Sequence, residues 1–196
     1  GVKANKKMKL NSRFNVNGLT GCLNFYNSDF KNTSITSYDG QCEDAINIIS
    51  SYGSFENIEI SNGYSDALDI DFSNIHIRDI NVKRSTNDCI DLSFGEYNIR
   101  GGFLEQCGDK GISIGEKSSV KINNININKS LIGISIKDYS TAEVNQAYII
   151  NSNICVESKK KKEEFGGSLI NLDFINCDSE FIKDKNSTIR INNNDI

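Results

Sequence analysis

One short phrase recurs along this chain at a constant interval of 22 residues. It reads Asp44-Ala45-Ile46-Asn47-Ile48, then Asp66-Ala67-Leu68-Asp69-Ile70, then Asp88-Cys89-Ile90-Asp91-Leu92. Lys110-Gly111-Ile112-Ser113-Ile114 and Ile132-Gly133-Ile134-Ser135-Ile136 continue it, and Ile154-Cys155-Val156 starts one more. A fixed period of this length means one small unit stacked many times, each unit too small to bury its apolar face alone. Within the unit, apolar and polar residues alternate, as in Ile46/Ile48, Leu68/Ile70 and Ile90/Leu92. That is the two-residue period of a strand with one buried face. Further alternating pairs follow, for example Ile75/Ile77 and Ile80/Val82, or Val120/Ile122 and Ile125/Ile127.

Three short strands in 22 residues leave no room for a helix, and the Leu and Asn consensus of a leucine-rich repeat is absent. The remaining solution is an all-β coil of three strands per turn, each strand about 4.8 Å above its counterpart in the preceding turn. Ile46, Leu68, Ile90, Ile112, Ile134 and Val156 then form one inward ladder, and Ile48, Ile70, Leu92, Ile114 and Ile136 another. Asn47, Asp69, Asp91, Ser113 and Ser135 point outward, because a one-residue slip would invert every coil. The chain contains no Pro, as a continuous stack of hydrogen-bonded strands requires. Its 196 residues suit a single domain of seven or eight coils. Residues 1–17 read as an N-terminal cap with alternation over 8–16, residues 18–186 as coils, and residues 187–196 as a C-terminal cap that covers the open end.

From residue 18 onward the chain resembles the right-handed parallel β-helices of the pectin-lyase-like superfamily, on the strength of these ladders. Ser85-Thr86-Asn87-Asp88-Cys89-Ile90-Asp91 and Gly108-Asp109-Lys110-Gly111-Ile112-Ser113 are similar to the catalytic stretches of polygalacturonases. That resemblance implies Asp88 and Asp109 as catalytic carboxylates. However, Lys110 replaces the second Asp of the family's pair, the Gly-His-Gly element is missing, and Ser135-Ile136-Lys137 lacks the family's Arg. Glycoside hydrolysis needs two carboxylates in defined roles. The phrases around Asp69-Ile70-Asp71-Phe72-Ser73, Gly108 to Ser118 and Ile136-Lys137-Asp138-Tyr139-Ser140 also resemble bacterial β-helix regions that accompany CotH-like kinase domains in surface or secreted proteins. This second likeness implies an accessory region of a larger extracellular or cell-surface protein.

The acidic strip is where chemistry would sit. Asp44, Asp66 and Asp88 stand at the strand entrances, where Asp commonly accepts hydrogen bonds from turn N–H groups. Asp69, Asp71 and Asp91 lie on the outer face, where stacking brings like charges together and raises their pKa or draws in a cation. Oxygen-only ligands of this kind suit Ca2+. The column Ala45, Ala67, Cys89, Gly111, Gly133 and Cys155 is uniformly small and reads as a shallow outer trough beside these carboxylates. A glycan is expected along the face bounded by Asp69, Asp71, Asp91, Lys110 and Lys137, with a packed loop or protein partner as the other occupant. The leading expectation is a non-catalytic carbohydrate-binding or scaffold module. The rival is a polysaccharide lyase or epimerase acting on acidic glycans, drawing on Asp88, Asp91, Asp109 and Lys110, with Ca2+ held by Asp69, Asp71 and Asp91.

The net charge of −4 gives no basic footprint for nucleic acid. No apolar run reaches membrane-spanning length and no signal peptide is visible, although a chain opening Gly-Val-Lys reads as an excised or processed form. His76, the single histidine, has outward parity and is expected at the surface. The run Lys159 to Lys162 with Glu163 and Glu164 interrupts the repeat and reads as a protruding loop. Of the six cysteines, only Cys22 and Cys42 are near enough in sequence to suggest a pair. Cys89 and Cys155 are three coils apart, beyond disulfide reach, and the other thiols read as small apolar fillers.

Overall fold

In the computed structural model, which describes residues 3–4 and 16–196, the chain forms a parallel β-solenoid of about eight turns with no helix among the described residues. The expected alternation over residues 8–16 lies almost wholly outside them. Each coil contributes one short strand to an eight-stranded sheet and one long strand to a ten-stranded sheet. The short strands run from Gly21–Tyr26, Asp44–Ile49 and Asp66–Asp71 to Ile132–Lys137, Ile154–Lys159 and Glu180–Lys183. The long strands include Tyr52–Gly63, Asn74–Ser85, Glu96–Cys107 and Ser119–Asn128. All pairings are parallel except the last, where Asn194–Asp195 turns back antiparallel on Thr188–Ile191.

The coil therefore has two strands rather than the expected three. In Asn74–Ser85 the burial alternation breaks twice, where Arg78 and Asp79 are both exposed and again at Lys83 and Arg84 beside the corner. The strand bends at Arg78 and Asp79 without a left-handed residue, so its ladder continues through the bend. The true corners carry residues at positive φ. Asn27, Ser50, Phe72, Phe94, Glu116 and Asp138 mark the exit from the short sheet, and Asp39, Asn62, Arg84, Gln106, Lys129 and Asn151 mark the exit from the long one.

The two expected ladders face inward in register, with Ile46, Leu68, Ile90, Ile112, Ile134 and Val156 all fully buried. Each such side chain contributes about 1.5–3 kcal/mol of burial free energy. The small column does not form a trough. Ala45, Ala67, Cys89 and Cys155 are buried inside the coil, at its tightest corner. A Cβ on Gly111 would lie 2.7 Å from Ile127 Cγ2 and 2.6 Å from the Gly133 carbonyl oxygen. The column is small because the walls meet there.

Cys22–Cys42 is a disulfide, as its spacing suggested, but Cys89–Cys107 and Cys155–Cys177 are disulfides too rather than apolar fillers, and no described cysteine is free. Each bond ties the start of a coil to its end, across 20, 18 and 22 residues respectively, in every third coil. One turn of the solenoid returns the chain to its starting column, so residues roughly one period apart come within bonding distance. The basic run also departs from expectation, because it lies back along the stack. The backbone N–H groups of Lys161 and Lys162 donate to Asp138 Oδ1, at 2.7 and 2.9 Å, and Lys162 pairs with Glu116 at 2.5 Å. Phe165 makes edge contacts with Phe94 and Tyr139 at centroid distances of 6.3 and 6.2 Å.

Candidate functional site

The entrance aspartates are built into the backbone. Asp66 Oδ1 accepts hydrogen bonds from the Asp88 N–H at 2.8 Å and from Asn87 Nδ2 at 2.7 Å. One coil on, Asp88 Oδ1 accepts from the Lys110 N–H at 3.0 Å and from Lys110 Nζ at 3.4 Å. Lys110 Nζ also contacts Asp109. Burial pushes the Asp88 carboxyl up to about 6; Lys110 offsets part of that rise, and Asp91, Asp66 and Asp109 add to it. Burial alone would pull Lys110 down, but its bond to Asp109 and the charge of Asp88 outweigh this and raise its pKa. Lys110 is therefore a firmly charged strut between two carboxylates, which is a poor arrangement for a general base.

Asp69, Asp71 and Asp91 point outward from the short sheet, as the strand parity requires. Asp69 sits opposite Asn47 on one side and Asp91 on the other, while Asp71 sits opposite Ser93. Asn47 Nδ2 donates to Asp69 Oδ2 at 2.9 Å. No described Lys or Arg pairs with any of the three carboxyls within 4.0 Å. Burial, followed by the charges of Asp71, Asp44, Asp91 and Asp66, holds Asp69 well above the usual carboxylate range. Asp71 is raised in the same way, by burial first and then by Asp91 and Glu116, with Lys162 acting in the opposite direction.

Outward does not mean exposed on this face. Asn47, Ser113 and Ser135 are at most 1% exposed. Ser135 Oγ donates to Glu157 Oε2 at 2.9 Å, but Asn47 Oδ1, Asp91 Oδ1 and Ser113 Oγ are buried without a hydrogen-bond partner. Lys137 is only 6% exposed, and its stem packs toward Gly115. It lies three coils from Asp71, about 14 Å at the usual strand spacing. The five residues expected to bound one face therefore divide into a carboxyl trio, the Lys110 entrance cluster and a distant buried lysine.

Among the described residues no three His, Cys, Asp or Glu side chains are grouped as a metal-holding cluster. His76 is exposed on the long sheet, beside a depression of about 180 Å3 that Asn74, Glu96, Asn98 and Lys121 also line. A second, of about 420 Å3, follows around Arg100 and Asn145. Two further residues beside the trio had no place in the sequence reading. Phe72 and Phe94 follow Asp71 and Ser93 at the corner and stack at 4.7 Å with an 8° interplanar angle. Their 22-residue spacing, at a corner otherwise filled by polar residues, is the signal that would have revealed them.

The protein is thus a disulfide-stapled parallel β-solenoid with an acidic outer strip. Comparison with protein-family models, curated proteins and solved structures gives no significant match.

Proposed function

We propose that this chain is a non-catalytic, carbohydrate-binding β-helix module of a larger secreted or surface protein. The observation that carries this reading is the engagement of Asp88 and Lys110, the residues best placed for catalysis by resemblance, in coil-to-coil hydrogen bonds. A carboxylate holding the next coil's backbone N–H is fixed by the fold, and a lysine clamped by two carboxylates resists giving up its proton. The outer strip repeats along the axis, so a polymeric ligand would meet similar contacts on successive coils. Three disulfides favour an oxidising compartment, in keeping with a secreted or surface location. The likeness to pectin-lyase-like and CotH-associated β-helices points the same way.

A second reading, a lyase or epimerase on uronate glycans, draws on the raised carboxyls of Asp69 and Asp71 as proton-transfer groups. The two are separated by incubating the protein with uronate and neutral glycan panels. Binding is followed by affinity electrophoresis, unsaturated product by absorbance, and epimerisation by NMR. Binding without turnover is the expected result. Turnover that Asp91→Ala abolishes would make the protein an enzyme.

A further inference from the structure

The corner next to the carboxyl trio carries an arrangement that packing alone does not require. Phe72 and Phe94 sit at φ 50° and 52°, the left-handed region that bulky residues avoid. Asn27 and Asp138 fill equivalent corners with residue types that adopt this conformation readily. The two rings gain little burial in return, since they remain 56% and 37% exposed. They stack on one another, and Phe94 also makes an edge contact with Phe165 from the folded-back loop. Among the described residues the ring contacts of Phe72 are with Phe94 alone, and the corner position one coil earlier is the small Ser50. An aromatic face is thus open toward the N-terminal side, at the edge of the acidic strip.

Among the described residues no Lys or Arg forms an ion pair with Asp69, Asp71 or Asp91, whereas Asp88, Asp109, Glu116 and Glu157 all have such a partner. Within the same outward column, Asn47 is 1% exposed and presents an Oδ1 with no hydrogen-bond donor, as does Asp91 Oδ1. Beside them the half-buried carboxyls of Asp69 and Asp71 favour a positively charged hydrogen-bond donor. The carboxyls form no metal-holding group among the described residues. An ammonium carried on a ring fits both halves of the site. The C–H face of a pyranose meets the negative face of an aromatic ring, and the ammonium faces the carboxyls. A uronate chain would instead bring its charges against like charges.

We propose that Phe72, with Asp69 and Asp71, forms a subsite for a hexosamine residue of a glycan, the sugar ring lying on Phe72 and its ammonium facing the carboxyls. This rests on the carbohydrate-binding reading above and deepens it by naming the sugar. Phe94 backs the platform from behind, and the folded-back loop closes its C-terminal side through Phe165. The sugar therefore enters from the side of Ser50.

The test uses glucosamine tetramer, its N-acetylated counterpart and tetragalacturonate, titrated at up to millimolar concentration and followed by NMR shifts and calorimetry. Glucosamine tetramer is expected to bind best and to shift the resonances of Phe72, Asp69 and Asp71. Phe72→Asn removes the ring but keeps a residue tolerant of positive φ, so it should leave the melting temperature no lower while weakening binding about tenfold. Asp71→Asn should weaken glucosamine tetramer more than the acetylated form. Undiminished binding by Phe72→Asn, or a preference for tetragalacturonate, would overturn the subsite and leave the carbohydrate-binding reading standing. No perturbation by any of the three sugars would overturn both.

Discussion

Replacing one disulfide by the residues of the neighbouring coil isolates what the staple does. Cys89 and Cys107 stand in register with Ala67 and Ser85, which fill the same two positions one coil earlier without a covalent link. The double variant Cys89→Ala/Cys107→Ser therefore copies packing that the fold already accepts. The bond spans 18 residues, and closing a loop of that size removes about 3 kcal/mol of denatured-state entropy at 25 °C. For a chain of this length each kcal/mol corresponds to roughly 2–4 °C, so the melting temperature should fall by roughly 6–12 °C. Differential scanning calorimetry reads this directly, and wild type unfolded and rescanned in reductant should fall further, since all three bonds are then open. Hydrogen exchange should rise in the coils around Cys89 and Cys107. A melting temperature within about 2 °C of wild type would refute the loop-entropy reasoning, since the packing has been kept constant.

Ile90→Asp should destabilise the centre of the stack by several kcal/mol, because Ile90 is fully buried among apolar side chains that offer a carboxylate no partner; chemical denaturation measures it. Gly111→Ala should cost about 1–3 kcal/mol, since its methyl group would meet the Gly133 carbonyl as well as Ile127; a neutral result would revive the trough. Thermal stability should rise on acidification from pH 8 toward pH 5. Asp88 titrates near 6 in the folded chain against an ordinary 3.8, so its contribution is full below about 4 and is lost as pH rises through about 6. Asp69 and Asp71 act in the same sense, while the lowered pKa values of Glu116 and Asp184 set the opposite trend at lower pH. Stability that climbs steadily toward pH 8 would contradict this cluster.

The inward ladders and the outward direction of Asp69 and Asp91 were legible because strand parity admits only two answers, and isoleucine chose between them in every coil. Parity alone did not place the small column. Alternation assigns a residue next to an inward Ile to the outside, but the chain turns just before Ile46, Leu68 and Ile90, and Ala45, Ala67 and Cys89 swing in with it. Cys22–Cys42 was legible from its spacing, but Cys89–Cys107 and Cys155–Cys177 were not, because each partner lies at the far end of the same coil rather than in the matching column. The bend at Arg78 and Asp79 looked like a turn because polarity marks both, and only backbone angles distinguish a bent strand from two. Of the expected site, the carboxyl trio survives as a neighbourhood. Lys110 and Lys137 do not join it, because a lysine's direction depends on which carboxylate or backbone lies within reach of its four-carbon stem.

The three staples fall in the first, fourth and seventh coils, and that spacing has a mechanical meaning. Pulled from its two ends, an unstapled solenoid peels one coil after another, releasing roughly 3.3–3.6 Å of extension for every residue freed. A stapled coil cannot pay out the segment between its cysteines, so roughly 60–80 Å of slack stays locked in each. Tension would travel through the sulfur atoms and bypass the strands behind them. The molecule would then lengthen in instalments of two coils, with a short inextensible link between one instalment and the next.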